Sequence, residues 1–484
     1  MKKAIILLVF VLLAGCAVGP DYKRPPVDIP QNFRFEDKES KDLANTAWWQ
    51  QFDDPVLNEL IQIALQENKD LKVAVARIGE FVGQYVTTRA SLFPQFGVGA
   101  SGGVQRITKT GLPALPPGTE NTDDVWSVFV NGSWEIDIWG KIRRATEAAR
   151  AGILSSEEGR RAVILTLVAA VANAYIDLRD ADREMEISKM TAEAYRESLH
   201  IFELRYKEGY SSSIEVNMVK GEYERAVAAI FFYEKTVPQL ENALSILLGR
   251  NPGPIPRGKT LDSLALPDVP AGLPSNLLEQ RPDIRAAEQD LIAANAQIGA
   301  AKALYYPAIS LTAAFGYSSA DLSKLFKSPA QIWSVAAPVI APIFTAGAIR
   351  GQVKLAEARQ QELVVRYQQV IQSAFREVDD FLVEQKQTKP QVEALGRRTD
   401  ALKEYARLAQ MRFDNGYASY LEVLDANRSL FDAELNYVQT KATLFRSFVN
   451  LYKAMGGGWV TEADKMTGED IAKESSTKGY LIPP

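Results

Sequence analysis

The chain has 484 residues, a hydrophobic fraction of 46%, a charged fraction of 24% and a formal net charge of −5. This balance is that of a folded protein and excludes wholesale disorder. The acidic pI of about 5.4 excludes the basic surface that nucleic-acid binding needs, so we expect no nucleic-acid partner. One histidine and one cysteine leave almost no soft ligands for zinc or iron–sulfur sites, and we expect no metal and no cofactor.

Residues 1–15 have the pattern of a lipoprotein signal peptide. Two lysines precede an apolar stretch that is too short to span a bilayer, and the stretch ends in Leu13–Ala14–Gly15–Cys16. This ending resembles the lipobox of bacterial lipoproteins, in which the cysteine becomes the lipid-carrying N-terminus. We therefore expect Cys16 to be lipidated, and the alternative is a plain secretory signal with a chance cysteine. Ala17, in place of an aspartate, resembles the choice made for sorting to the outer membrane.

A duplicated unit accounts for most of the chain. The segment Arg205–Tyr210 reappears as Arg412–Tyr417, 207 residues later. A repeat of this length predicts an elongated molecule built from two similar halves. The predicted divisions are a lipid anchor and extended tether (16–47), a first repeat (48–250), a Pro/Gly-rich linker or equatorial segment (251–274), a second repeat (275–456) and an equatorial or disordered tail (457–484).

Each repeat begins with a predicted helix and continues with two predicted strands. The helices run from Asn68 to about Ser91 and from Arg281 to about Leu304. Apolar residues then alternate with small or polar residues in four segments, 96–104, 126–138, 309–317 and 333–339. This alternation fits the lipid and lumen faces of a membrane barrel, but half-buried soluble hairpins share it. We find no run of about eighteen apolar residues after the signal, which favours the barrel.

Long helices are predicted after the strands. Residues 140–207 contain no proline and carry apolar residues at 4–3 spacing, interrupted by Asp182, and the same register returns at 371–382. Such spacing predicts coiled-coil packing, and about 65 residues would form a helix of roughly 100 Å. The segments that follow the two repeated turns supply antiparallel partners. We expect a kink or break at Pro238 and at Pro390.

Four strands are too few for a closed barrel, because the smallest membrane barrels have about eight. The open edges of the sheet therefore predict an oligomer, and three copies would supply twelve strands. The predicted fold class is an α+β membrane protein. Each chain contributes four strands to a trimeric 12-stranded β-barrel that continues into a long periplasmic α-barrel of coiled-coil helices, with an internal structural repeat.

The motifs in this order resemble those of the TolC-like outer membrane factors, specifically the lipid-anchored OprM/NodT branch that works with RND-type efflux pumps. The matching segments are Cys16 with Gly19–Pro25, Trp134–Gly140, Gln280–Ile284, Pro342–Phe344 and the two turns. The resemblance covers nearly the whole chain. It implies a homotrimer that is lipid-anchored in the outer membrane, has most of its helical mass in the periplasm and lacks enzymatic activity. The implied partners are outer membrane lipid, a periplasmic adaptor (membrane fusion protein) and an inner-membrane RND transporter.

The resemblance also implies a periplasmic gate. Glu422 and Asp425, supported by Glu215 of the first repeat, match acids that ring the narrow end of the tunnel in the family. Three-fold symmetry would bring these carboxylates close to one axis and form a cation-attracting constriction. The alternative is that paired acids merely decorate an exposed helix face.

At the closing contacts of the gate, this chain departs from the family pattern. Where some relatives carry an arginine after the turn glycine, this chain has Ala418 and Ser419. Tyr417 and Tyr420 are the candidates to replace the missing contacts, through packing or hydrogen bonds.

The two turns, which we call the tips, match the adaptor-docking ends of the family. The candidate docking residues are Arg205, Gly209 and Tyr210 in the first tip, and Arg412, Gly416 and Tyr417 in the second. A left-handed helix C-cap would by itself account for both glycines.

The leading hypothesis is a passive exit channel of a tripartite RND-type efflux pump that exports small toxic compounds. One alternative is the duct of a type I protein-secretion system, which uses the same fold. Another is a lipid-anchored coiled-coil spacer without a pore. An enzyme is not expected, because the sequence shows neither a nucleophile–base spacing nor a phosphate-binding glycine loop after a strand.

Overall fold

The computed structural model describes residues 17–35, 47–108, 116, 118, 120–267 and 274–457. The chain divides into two compact units. The strand unit comprises the described residues up to Pro26, Arg77–Ser156 and Ala286–Tyr367. The hairpin unit comprises Val27–Ala76, Glu157–Arg285 and the described residues from Gln368 onward. Each unit takes segments from both halves of the chain. The predicted signal peptide, Cys16 and nearly all of the predicted tail lie outside the described residues.

Three pairs of helices have equal lengths in the two halves. Their bounds are α1 (Pro55–Glu67), α2 (Lys69–Ala90), α3 (Lys141–Lys207), α4 (Ser213–Leu247), α5 (Pro274–Gln280), α6 (Pro282–Ala303), α7 (Ala348–Asp414) and α8 (Tyr420–Ala454). Helices α2 and α6 have 22 residues each, α3 and α7 have 67 each, and α4 and α8 have 35 each. This equality confirms the predicted internal repeat.

Helix α1 was not predicted, although the sequence contains its start signal. Asp54 caps the helix by accepting hydrogen bonds from the backbone N–H groups of Val56 at 2.9 Å and Leu57 at 3.4 Å. Pro55 occupies the first turn, where a missing N–H costs nothing. The short helix α5, which also begins at a proline, was likewise not predicted.

Helices α4 and α7 continue through Pro238 and Pro390, so the predicted breaks were wrong. A proline in a helix frees the carbonyl four residues earlier. Both prolines and both freed positions, Glu234 and Lys386, lie on exposed faces. The freed carbonyls can therefore bond to water, which lowers the cost of keeping each helix continuous.

The strand unit contains one antiparallel sheet in the order β1–β2–β3–β4, with β5 paired to β3. The strands are β1 (Gln95–Arg106), β2 (Thr122–Ile136), β3 (Ala308–Ser319), β4 (Gln331–Ala336) and β5 (Val339–Ile340). The predicted fourth strand is split at Pro338, because proline has no N–H to give to the ladder. The β2–β3 pairing joins the two repeats, from Trp126 opposite Ser319 to Ile136 opposite Ile309.

The sheet has two open edges within the part of the chain that the structure describes. Strand β1 pairs with β2, and β4 pairs with β3, which leaves the outer edges of β1 and β4 unpaired. Apolar side chains on these strands are largely exposed: Phe96 is 77% exposed, Val98 78%, Trp333 72% and Val335 73%. Open edges that carry apolar side chains are what a sheet completed by other copies of the chain requires.

Among the described residues, α3 is the one helix with a stretch long and apolar enough to cross a membrane, so the expectation of no such stretch after the signal was wrong. More than half of that stretch (56%) is buried inside the protein. Ile164, Val168 and Val171 within it are fully buried in the hairpin unit. We therefore interpret α3 as a core helix.

The hairpin unit packs α3 with α4, and α7 with α8, around apolar clusters. The larger cluster also takes in α1 and is centred on Trp48, Phe52, Tyr175, Phe445 and Tyr452. Asp182, which interrupts the apolar stripe of α3, bonds to Arg179 at 2.6 Å and to Arg257 of the linker at 2.9 Å. The interruption therefore serves to hold the linker against the helices.

Candidate functional site

The two tips have the same backbone geometry. Gly209 and Gly416 adopt left-handed conformations, with φ of 79° and 78°. In the first tip, the N–H groups of Gly209 and Tyr210 donate to the carbonyls of Tyr206 and Arg205 at 3.1 and 2.7 Å. In the second, Gly416 and Tyr417 donate to Phe413 and Arg412 at 2.9 and 2.8 Å. Both tips are Schellman caps, which require a residue that tolerates positive φ.

The second tip holds its predicted gate acids in ion pairs. Glu422 accepts a hydrogen bond at 2.7 Å from Arg412, so this pair joins the end of α7 to the first turn of α8. Asp425 bonds to Arg428, one turn further along α8, at 2.9 Å. In the single chain, each of the two predicted gate acids of the second tip is therefore paired with a neighbouring arginine.

The first-repeat acid, Glu215, has a different role in the first tip. Its side chain accepts the backbone N–H of Ser212 at 2.8 Å, and Ser212 in turn accepts the N–H of Glu215. This capping box closes the start of α4. The backbone hydrogen bond from Ser212 and the side-chain bond from Ser211 lower the pKa of Glu215 below its ordinary value.

An aromatic cluster joins the two hairpins behind the tips. The ring of Tyr420 lies 4.1 Å from that of Phe202 in α3 and 5.1 Å from that of Phe413 in α7, measured between centroids. Tyr420 is only 4% exposed. The guanidinium of Arg205 covers both phenylalanine rings, at 5.7 and 5.5 Å. Of the two candidate closing tyrosines, Tyr420 thus connects the hairpins by packing.

The outermost side chains of the tips are exposed and apolar. Tyr210 is 85% exposed and Tyr417 is 79% exposed, so neither packs into the protein. Ile214 and Leu421, the second residues of the repeated Ser-Ile-Glu-Val and Tyr-Leu-Glu-Val segments, are 70% and 58% exposed. These four side chains are available to a partner.

Sequence reasoning missed several residues that complete the tips. Arg428 could have been found, because it lies three residues after Asp425, a spacing that brings opposite charges together on a helix. Phe202 and Phe413 could not have been assigned from sequence, because their contact joins residues 211 positions apart.

The segment that follows Cys16 is fixed to the strand unit. The N–H of Val18 donates to the carbonyl of Trp139 at 3.0 Å. Ala17 lies against Gly140, where an added Cβ would be 2.8 Å from the Cβ of Ala17. Ala17, the first residue that the structure describes, therefore lies where β2 ends and α3 begins.

Three side chains hold the following residues in place. Asp21 pairs with the largely buried Arg144 of α3 at 2.7 Å. Tyr22 donates to Glu288 of α6 at 3.0 Å, and Arg24 makes two bonds of 2.6 Å to the same carboxylate. The part of the predicted tether up to Arg24 is thus extended but bound.

Comparisons with known proteins agree across nearly the whole chain. A family model described as "Outer membrane efflux protein" matches residues 60–250 and 273–457. The toluene efflux pump outer membrane protein TtgC of Pseudomonas putida is 36% identical over 472 residues, which are 95% of this chain and 96% of that protein. The cation efflux system protein CusC of Escherichia coli is 35% identical over 462 residues, 94% and 99% of the two chains.

A solved structure gives the same result at the level of the fold. The open state of the Neisseria gonorrhoeae MtrE outer membrane channel is similar to this chain with a TM-score of 0.83 and 33% identity. The similarity covers 92% of this chain and 99% of that chain.

Proposed function

Because this chain belongs to the outer membrane efflux protein family, we propose that it forms the passive exit duct of a tripartite RND-type efflux pump. The predicted family, the α+β channel fold and the role in outer membrane efflux are confirmed. The observation that supports a duct within a tripartite pump is the pair of tips. Both tips have the same backbone turn, and they carry exposed apolar side chains and paired charges. The secretion-duct alternative is less favoured, because the relatives described above are named as efflux proteins.

The proposed duct is a homotrimer. The support is the sheet, whose outer edges on β1 and β4 are unpaired within the described residues. Three copies would join these edges and give twelve strands. Native mass spectrometry of the detergent-extracted protein should give three chains per particle, and a monomer or dimer would contradict the proposal.

The proposed anchor is a lipid on Cys16, which lies outside the described residues. The support is the position of Ala17, which packs against Gly140 at the end of β2 nearest the helices. A lipid carried on the preceding residue would start at the base of the strands, where a barrel meets the membrane. Mass spectrometry of the mature N-terminal peptide should show acyl chains on Cys16, and an unmodified cysteine would exclude the anchor.

The proposed gate consists of Glu422 and Asp425, with Glu215 in a supporting role. In a trimer, six carboxylates of the second tip and their arginine partners would lie around the narrow end of the duct. Changing Glu422→Gln together with Asp425→Asn removes the charge that these ion pairs use and should raise single-channel conductance in planar bilayers. Asp400→Asn, an exposed acid on α7, is the matched control and should leave conductance unchanged. Equal conductance of the double variant and the wild type would exclude these acids from the gate.

The proposed adaptor-docking surface is formed by the tips, centred on Tyr210 and Tyr417. Both side chains are exposed, and the Arg205 and Arg412 carbonyls hold the two turns in shape. A photoreactive residue placed at either tyrosine should cross-link the adaptor of the cognate pump, whereas the same residue at exposed Glu234 should not. Cross-linking from Glu234 alone would place the adaptor elsewhere.

The exported compound is not determined by features that the family shares. Relatives with nearly equal identity to this chain are named for toluene and for cations. We therefore assign small toxic compounds as the cargo class and place selection in the inner-membrane transporter. No catalytic role is proposed for any residue.

A further inference from the structure

A polar recess opens at the surface of the hairpin unit, away from the tips. Its volume is about 470 Å³, and it lies between α3, α7 and α8. The lining residues are Asp180, Thr388, Gln391, Gln439, Thr440, Thr443 and Arg446. The proposed duct, gate and docking surface make no use of these residues.

Asp180 is the least satisfied group in the recess. It is 8% exposed, and among the described residues its Oδ1 atom has no hydrogen-bond partner. Its Oδ2 atom is 3.9 Å from Arg446. That guanidinium already bonds to Asp177 and donates to Thr443 at 2.8 Å, so it is shared between two carboxylates. A buried carboxylate oxygen without a donor is costly while the group is ionised.

A second buried acid lies one turn further along α3. Glu184 is 6% exposed and accepts a hydrogen bond from Gln439 of α8 at 2.5 Å. Tyr233 of α4 also faces Glu184. Burial, reinforced by Glu184 and Asp177 and opposed by Arg446, raises the pKa of Asp180 to about 7. Burial likewise raises the pKa of Glu184, and on α7 that of Glu384.

We propose that Asp180, together with Glu184, is a proton-binding site that couples the packing of α3 against α7 and α8 to pH. With the proton bound, Asp180 becomes a donor that can bond to the hydroxyl and amide groups of the recess. Without it, the buried carboxylates of Asp180 and Glu184 and the partly exposed carboxylate of Asp177 face a single arginine. The inference concerns packing within one chain, so it does not depend on the proposed function.

The sign of the effect follows from linkage. A locally opened state exposes Asp180, which then releases its proton near its ordinary value of 3.8, whereas the packed state holds the proton up to about pH 7. Packing is therefore fully favoured below pH 3.8 and weakens as the pH rises toward 7. If one proton is released on opening, the equilibrium constant for local opening should rise on the order of fiftyfold between pH 5 and pH 7.

Hydrogen–deuterium exchange on the full-length protein in detergent tests the proposal. Peptides of residues 177–188 and 439–447 are followed at pH 5, 6, 7 and 8, with correction for the intrinsic exchange rate. Wild-type protection should fall with rising pH by the factor given above. Asp180→Asn is neutral at every pH and should lose most of this pH dependence, keeping only the part that Glu184 contributes, whereas Asp400→Asn on the exposed face of α7 should behave as the wild type.

Two results would overturn the proposal: flat wild-type protection across this pH range, or an Asp180→Asn variant with the same pH dependence as the wild type. Infrared difference spectroscopy gives an independent measurement on the unchanged protein, which covers the case of a variant that does not fold. A buried protonated carboxyl should give a carbonyl band at pH 5 that disappears by pH 8. Absence of such a band at pH 5 would also contradict the proton site.

Discussion

The two tips have the same backbone and different side-chain bonding. Both end a 67-residue helix in a Schellman cap on a left-handed glycine. At the first tip, Glu215 bonds to the serines beside it. At the second tip, Glu422 reaches across the turn to Arg412. The two turns thus share the backbone geometry that the glycine allows, whereas their acidic side chains make different bonds.

The arginines that precede the glycines differ in the same way. Arg205 lies over the rings of Phe202 and Phe413, which belong to different hairpins. Arg412 instead bonds to Glu422 and to the carbonyl of Tyr417, both in its own hairpin. The arginine of the first tip therefore bridges the two hairpins, whereas the arginine of the second tip bonds within its own hairpin. If the tips open during transport, the second can exchange its ion pairs without disturbing the aromatic cluster.

The largest expected effect lies at the position where the tips differ most. Tyr420 is buried in the aromatic cluster, whereas its first-repeat equivalent, Ser213, is exposed. Tyr420→Ala leaves a cavity between the hairpins and should lower the local free energy of opening by about 3–5 kcal/mol. Hydrogen–deuterium exchange of the tip peptides measures this loss. Ser213→Ala is the matched control, and comparable losses at both positions would remove the proposed difference.

The next largest effect, the loss of stability when a tip glycine is replaced, should be equal at both tips. Gly209→Ala and Gly416→Ala each place a side chain at a φ that L-residues avoid, at a cost of about 1–2 kcal/mol. Among the described residues, nothing lies within 4 Å of a Cβ added at either position, so the cost comes from the backbone alone. The same exchange measurement should give similar losses for the two variants. A difference above about 1 kcal/mol would show that the turns are not equivalent.

Sequence patterns were sufficient for the repeat, the long helices and the turns. The 4–3 spacing located α3 and α7, and the repeated glycines located both caps. The helix at Pro55–Glu67 was missed because it is short, although Asp54 and Pro55 carry its start signal. The breaks expected at Pro238 and Pro390 were wrong because the exposed faces of long packed helices tolerate the lost hydrogen bond.

The bonding of the tips was not predictable in the same way. Local signals exist for the Glu215 capping box and for the Asp425–Arg428 pair, since each spans three residues. The contact of Phe202 with Tyr420 depends on how two hairpins more than 200 residues apart come together. Sequence spacing within one hairpin carries no information on that arrangement.

The capping box of the first tip should contribute more to local stability than the N-cap residue of the second tip. Ser212→Ala removes the bond from the Glu215 N–H to the Ser212 hydroxyl but keeps the backbone N–H that donates to the Glu215 carboxylate, and it should cost about 1 kcal/mol. In the described part of the chain, Ser419 makes no side-chain cap bond, so Ser419→Ala should cost close to nothing. Because the pKa of Glu215 is lowered, its contribution is present above the ordinary value of 4.5 and is lost as the pH falls through the lowered value. Exchange protection of 212–220 should decline in acid in the wild type, and in Ser212→Ala it should start lower and still decline, because the backbone bond to Glu215 remains.

The smallest expected effect on stability is the one closest to the proposed gate. Arg412 and Glu422 are 56% and 28% exposed, and an exposed ion pair contributes at most about 1 kcal/mol. A double-mutant cycle with Arg412→Gln and Glu422→Gln should give a coupling energy in that range that shrinks as salt is added. A cycle on Asp425 and Arg428 within α8 is the control and should give a similar small value. Weak ion pairs would allow the second tip to rearrange easily. A coupling energy of several kcal/mol would instead make the second tip rigid, and any opening would then have to occur at the first tip.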